Sequence, residues 1–153
     1  MSASTTQRSY SIKEAAALTG LAASTLRYYE SIGVIPPVSR GASSRHRAYS
    51  EDDLDQLMWI ACLAATGMSV SDMRQYVANG QVGPSAAGEQ IELLAAQERR
   101  LALEAEQLAV RQRYVRLKID YWHAVAAGDA DRVALLGDEA GALADQLKRA
   151  RRQ

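Results

Sequence analysis

The chain has 153 residues, 48% hydrophobic but only 6% aromatic with no phenylalanine, and its eighteen lysines and arginines balance eighteen aspartates and glutamates. That apolar share excludes general disorder, the scarcity of rings excludes a deep aromatic core, and the neutral total means that any nucleic-acid partner must be argued from a local patch. A lone cysteine, Cys62, excludes an internal disulfide, and no apolar run reaches membrane-spanning length, so a cytoplasmic protein without a membrane partner is expected.

Residues before Tyr10 are polar and read as a disordered lead-in with no signal-peptide core. Ser11-Ile12-Lys13-Glu14 then has the form of a capping box, in which a hydroxyl and a carboxylate satisfy backbone N–H groups that a helix start leaves unpaired. A helix from about Ile12 to Thr19 is predicted, stopped by Gly20. Leu21 is the apolar residue of a tight turn, and a second helix from about Ala23 to Ile32 ends at Gly33. Two short helices across a glycine turn make a helix-turn-helix.

The second helix carries Leu26-Arg27-Tyr28-Tyr29-Glu30. An arginine beside two tyrosines offers a permanent cation and two hydroxyl-tipped arms, which suits the phosphate-facing front of a recognition helix. The same residues also fit an amphipathic surface helix with half-buried tyrosines. Pro36-Pro37 cannot continue a helix, and Val38 to Tyr49 has no helical period. A wing of two brief strands around Gly41 to Ser44 is predicted there. Between Ser24 and Ser50 the charges are Arg27, Arg40, Arg45 and Arg47 against Glu30 alone, a local basic patch.

Ser50-Glu51-Asp52-Asp53 is a second capping box, opening a helix to about Thr66 and Gly67. Ser69-Val70-Ser71-Asp72 is a third, opening a helix that Asn79-Gly80 is expected to close. Gly83, Pro84 and Gly88 mark a boundary. Beyond it Ile91, Leu94, Glu98, Leu101, Ala105, Leu108, Gln112, Val115, Ile119, Trp122 and Ala126 follow a 3-4 spacing. A seam of five heptads predicts a coiled coil ~54 Å long, too long for the head alone to cover. Dimerisation through Ile91, Leu94, Leu101, Leu108, Val115, Ile119 and Trp122 satisfies it; packing on the final segment of the same chain is the alternative. Gly128-Asp129 breaks the coil, after which Val133, Leu135, Leu136, Leu143 and Leu147 predict one or two short helices folding back, ahead of a solvated basic tail ending in Arg151-Arg152. The predicted architecture is mainly α, with a DNA-binding head over residues 10–80, a dimerisation helix over 85–127 and a short helical segment and tail over 128–153.

From Tyr10 to about Val77 the sequence resembles the MerR family of bacterial transcription regulators. The resemblance rests on Tyr10-Ser11-Ile12, Glu14-Ala15, Thr19-Gly20-Leu21, Thr25-Leu26-Arg27-Tyr28-Tyr29-Glu30, Gly33-Val34-Ile35-Pro36-Pro37, Arg47-Ala48-Tyr49, Asp53-Leu54 and Gly67-Met68-Ser69. It implies a winged helix-turn-helix head on an antiparallel dimerising coil, a near-palindromic promoter operator in double-stranded DNA, and distortion of that DNA so that RNA polymerase engages it. It further implies that Ser11, Thr25, Arg27, Tyr28, Tyr29, Arg40, Arg45, His46, Arg47 and Tyr49 face the DNA. Two departures stand out. Ala22 replaces the capping serine before the recognition helix, forfeiting about 1 kcal/mol unless Ser24 substitutes, and Arg45-His46 stand where relatives often place a glycine ahead of an aromatic or histidine.

One cysteine and two distant histidines, His46 and His123, do not make a metal or iron–sulfur site, and no cofactor is implied. Trp59-Ile60-Ala61-Cys62-Leu63, with Thr66-Gly67-Met68 and Leu117-Lys118-Ile119-Asp120-Tyr121-Trp122, looks like the branch that answers aldehydes and electrophilic stress. That resemblance implies a covalent adduct on Cys62. The residue also reads as a small buried hydrophobe, four residues from Met58 and eight from Leu54. A second candidate effector site is a small apolar pocket lined by Tyr114, Tyr121, Trp122 and His123 where the coil end meets the other protomer's head; the same residues also read as filling the end of a coil. No nucleophile, base and orienter assemble into an enzyme site; the rival to a DNA-binding regulator is a coiled-coil module that uses its head to dock proteins.

Overall fold

A computed structural model describes residues 8–151; most of the polar lead-in and the last two residues lie outside the described residues. The elements are α1 (Ile12–Thr19), α2 (Ala23–Ser31), α3 (Glu51–Ala65), α4 (Val70–Val82), a 3₁₀ turn (Pro84–Ala86), α5 (Ala87–Ala127) and α6 (Ala130–Ala150). They fall into two compact units, divided after Leu94 within α5.

Local chemistry sets most helix ends in the first unit. Ser11 Oγ accepts from Glu14 N while Ser11 N donates to Glu14 Oε1, and Ser50 and Asp53 repeat the exchange. At Ser69 the hydroxyl accepts from Asp72 N. Gly20, with φ 74°, ends α1 by donating its N–H to the Ala16 carbonyl, in a left-handed conformation that favours glycine. Ala22 gives α2 no side-chain cap, and Ser24 does not replace it.

The core of this unit gathers Ala15, Leu26, Tyr29, Val34, Ile35, Val38, Tyr49, Leu57, Ile60, Met68 and Met73. Leu26 and Tyr49 are wholly buried and Leu57, Ile60 and Met73 nearly so. Each large apolar side chain removed from water contributes about 1.5–3 kcal/mol. The result is a tight packing of α1 on α2 and α3, and of α3 on α4.

Two expectations are corrected here. The wing is not a two-stranded hairpin: among the described residues no strand forms, only isolated bridges, Arg40 to Arg47 and Tyr10 to Tyr49. Pro36-Pro37 withhold donors on one side, and the turn from Gly41 to His46 uses its own groups, with Gly41 N donating to His46 O at 2.9 Å and Arg45 N to Gly41 O at 3.1 Å. A ladder has no length left in which to extend. The bridge instead ties Tyr10, just ahead of the α1 cap, to the base of the wing through two 2.8 Å backbone bonds with Tyr49. Nor does α4 end at Asn79-Gly80: it continues to Val82 and closes at Gly83, whose φ is 93°. The asparagine stays helical because its side chain is buried and bonded within the unit, which outweighs a local stop signal.

The second unit holds the rest of α5 and α6. At 1.5 Å per residue the 41 residues of α5 extend about 61 Å. Asp129 starts α6 by accepting from Arg132 N at 3.1 Å. Where one or two short helices were expected there is a single helix of 21 residues. It packs on α5 through Leu117, Ala124, Leu136, Ala140 and Leu143, with Val110, Tyr114, Tyr121 and Val133 alongside. Packing on the same chain and an open seam therefore coexist. Ile91, Leu94, Leu108, Val115, Ile119 and Trp122 all stay exposed in a single chain, as does Leu101. At 100° per residue the two sets lie on nearly opposite sides of the helix.

Candidate nucleic-acid interface

The period of α2 divides its residues cleanly. Leu26 and Tyr29, three apart, point into the core, which turns Arg27 and the half-exposed Tyr28 outward together with Ser24 and Ser31. Thr25 is partly buried between these faces. Tyr28 and Tyr29 keep their rings 6.2 Å apart and tilted by 42°. The two adjacent tyrosines thus differ: Tyr28 is presented at the surface, Tyr29 holds the helix down. Tyr49 is likewise removed from the candidate surface, wholly buried with a hydroxyl that no protein group partners. Burial in apolar surroundings pushes its pKa above the ordinary 10.0, against the pull of Arg47.

The wing supplies the remaining cations. Arg40, Arg45 and His46 are exposed, and so is Ser11 at the exposed start of α1, where its hydroxyl is taken up by the cap. Arg45 is the one non-glycine residue with positive φ, 55°, among the described residues. A left-handed backbone favours glycine, and here the chain accepts about 1 kcal/mol of strain at an arginine. Arg40 Nη1 donates to the Arg45 carbonyl at 3.3 Å, which steadies the turn from within.

Arg47 differs from the other arginines. Its Nε donates to Glu30 Oε2 at 2.6 Å, with both side chains mostly buried, and the other carboxylate oxygen, Oε1, accepts from Val38 N at 3.1 Å. Glu30 thereby fastens the end of the recognition helix to both arms of the wing. Burial alone would raise its pKa; the hydrogen bonds from Arg47 and Val38, with the charges of Arg47 and Arg40, outweigh that and lower it below 4.5. The charge of Arg47 is spent inside the head. Arg27 on the helix and Arg40 and Arg45 on the wing stay exposed. Sequence reasoning placed Glu30 in the recognition stretch but gave it no role, because its partner lies 17 residues away.

The predicted sensing residues sit apart from this face. Cys62 is exposed on α3, which corrects its reading as a small buried hydrophobe. Each step of four residues advances about 40° round a helix, so the series from Leu54 through Met58 to Cys62 drifts off the buried face set by Leu57 and Ile60. Its neighbours on the surface are apolar, with Met58 43% and Trp59 66% exposed. Tyr114 and Tyr121 turn toward α6, and the Lys118 amine lies 5.7 and 5.6 Å from their ring centres. Trp122 lies edge-on to Tyr121 at 5.6 Å but is itself 64% exposed, and His123 is exposed too. These four side chains do not converge on one cavity within the chain. Among the described residues no three His, Cys, Asp or Glu side chains cluster as metal ligands, and no helix is long and apolar enough to cross a membrane.

A helix-turn-helix whose second helix presents arginine and tyrosine, buttressed by an arginine-bearing wing and followed by a long helix, defines the class of DNA-binding transcription regulators. The model of the MerR HTH family regulatory proteins matches residues 10–80. A probable heavy metal-dependent transcriptional regulator of Haemophilus influenzae is 32% identical over 125 residues, covering 82% of this chain and 94% of that protein. The chain therefore belongs to the MerR family. The HTH-type regulator YyaN of Bacillus subtilis is 44% identical over 71 residues, covering 46% of this chain and 51% of its own, so that the chain spans only about half the length of that relative. Among solved structures, HiNmlR, a MerR family regulator lacking the sensor domain and bound to promoter DNA, superposes with a TM-score of 0.62 at 27% identity, over 79% of this chain and 96% of that one.

Proposed function

We propose that this regulator acts in the cytoplasm as a homodimer on a near-palindromic promoter operator, one head per half-site, and that it distorts the DNA to make the promoter accessible to RNA polymerase. The observation that carries the reading is the joined presentation of Arg27 and Tyr28 on α2 with Arg40 and Arg45 on the wing, held as one body by Glu30. The promoter-bound state of HiNmlR supports the same use of the head here. The open seam on α5 supports the dimer, since seven apolar residues exposed along one helix are stable in water only when covered. Thr25, Tyr28 and Ser11 touch backbone and base edges, while the arginines neutralise phosphates.

With Arg47 occupied, three cations per protomer make six per dimer, and log K for duplex DNA should fall with log salt at a slope of about −5. Fluorescence anisotropy between low and physiological salt measures it. A flat response supports the rival class, a coiled-coil module that docks proteins through its head. Arg27→Ala should weaken binding to operator and random duplex alike, because it neutralises phosphates and does not read bases.

The exposure of Cys62 beside Trp59 favours a second element of the reading, a response to aldehyde stress. The thiolate adds to the carbonyl carbon, an S–C bond forms as the C=O π bond opens, and the oxygen takes a proton from water to give a hemithioacetal. Promoter activation by formaldehyde in wild type and Cys62→Ser decides it; an equal response in both removes Cys62 from the mechanism.

A further inference from the structure

A chain of amides centred on the buried Asn79 lies where the head takes hold of α5. Asn79 on α4 is 6% exposed, and a polar side chain at that depth is costly unless its groups are bonded. Asn79 Oδ1 accepts from Gln75 Nε2 at 2.7 Å, and Asn79 Nδ2 donates to Gln90 Oε1 at 3.0 Å. Gln90 Nε2 then donates to the Tyr76 carbonyl at 2.9 Å. Gln90, in the first turn of α5, is thus tied to a side chain and to the backbone of α4 at once. The corner between the helices is equally constrained: Gly83 has φ 93°, Pro84 opens the 3₁₀ turn, and Ala86 is buried and donates to the Gly83 carbonyl at 2.9 Å. Apolar contacts would hold α5 against α4 without fixing its rotation, because apolar attraction is non-directional. Hydrogen bonds weaken steeply when misaligned, so the two that cross from α4 to Gln90, with Gln75 fixing the Asn79 amide, select one rotation of the start of α5 about its axis.

We infer that Gln75, Asn79 and Gln90 form a positioning lock that sets the rotational register of α5 on α4, and through it the spacing between operator half-sites that the dimer accepts. The inference rests on the dimeric operator reading above. Ile91 and Leu94, the first residues of the seam, follow Gln90 on the same helix, so the rotation chosen by the amides decides where these two point relative to α4. In a dimer the recognition helices are connected only through such links, and half-site separation is a geometric property of the connection. None of the three residues needs to touch DNA.

The test uses the full chain, with duplexes selected by the wild-type protein from a random pool and derivatives in which base pairs are inserted or removed between the half-sites. Wild type is expected to lose about ten-fold in affinity when the spacing changes by two base pairs. Asn79→Leu and Gln90→Met should keep their affinity for random duplex and lose this discrimination, the ratio falling to about three-fold or less. Gln90→Met is also expected to lose thermal stability, since it strands the buried Asn79 amide. The double variant N79L/Q90M, with both partners apolar, should regain it without regaining the spacing preference. A double variant that prefers the wild-type spacing as sharply as wild type overturns the lock, whatever its stability. A wild type that binds every spacing alike, or no duplex at all, overturns the operator reading and the lock with it.

Discussion

Replacing Glu30 with glutamine isolates the tie between the recognition helix and the wing, because the amide matches the carboxylate in shape and removes only its charge. In the wild type Oε2 takes the Arg47 Nε–H at 2.6 Å and Oε1 the Val38 N–H at 3.1 Å, with the Glu30 and Arg47 side chains 12% and 19% exposed. Glutamine retains one oxygen for Val38 but turns a donor toward Arg47 or leaves it a weaker acceptor. A charge-assisted bond of this kind contributes about 2 kcal/mol, toward the lower part of the range because neither group is fully buried. For a unit of fewer than 100 residues that converts to a fall in melting temperature of about 10 °C. The pH dependence distinguishes this cause from a packing defect. The Glu30 pKa is lowered on folding from 4.5, so its stabilisation is complete above that value and is lost as pH falls through the lower, folded one. Thermal unfolding followed by circular dichroism from neutral to strongly acidic pH should show the gap between wild type and Glu30→Gln closing on acidification. A gap below about 2 °C at neutral pH refutes the assigned strength, and a gap that persists unchanged in acid refutes the assigned cause.

Arg45→Gly should relieve the left-handed strain at φ 55° and leave stability unchanged or higher by about 1 kcal/mol, while reducing the salt slope of DNA binding by about two per dimer; a destabilised variant contradicts the strain. Tyr49→Phe keeps the buried ring and deletes a hydroxyl without a protein partner, so the head should melt no lower, and higher by up to about 1 kcal/mol. Because the Tyr49 pKa is raised on folding from 10.0, its neutral form stabilises the head below that value and the contribution is lost as pH climbs above it. The phenylalanine variant should escape that part of the alkaline loss, and identical alkaline unfolding of both proteins rejects the assignment. Leu108→Glu, at a residue 54% exposed in the single chain, should leave helix content intact and weaken self-association about 100-fold in sedimentation equilibrium. An unchanged mass excludes this seam as the contact.

What the sequence disclosed was mostly local. Ser11 with Glu14 and Ser50 with Asp53 placed two helix starts, because a capping box is complete within four residues. The sequence reading turned Tyr28 and Tyr29 alike toward the DNA, although Leu26 and Tyr29 lie three apart on one face and the core claims that face. The drift that exposes Cys62 follows from helix geometry applied over eight residues instead of four. Other features were beyond reach because they depend on pairs distant in the chain. Arg47 resembled a free cation until Glu30 was found beside it, and Asn79-Gly80 carried a stop signal that a bond to Gln90, eleven residues on, overrides. Helix α6 includes Gly137 and Gly141, each costing about 1 kcal/mol relative to alanine, and persists because Leu136, Ala140 and Leu143 pack on α5.

By covering one side of α5 and leaving the other bare, α6 gives the helix a valence of one. A helix apolar on two sides can be joined from both, and chains of such helices grow into open bundles or fibres. Here the second side is already filled from within the same polypeptide by Leu136, Ala140 and Leu143. In the proposed dimer the one bare stripe is used up when two copies meet in opposite directions. On that proposal the C-terminal helix restricts assembly through α5 to a pair, the number of heads that a two-fold symmetric operator receives.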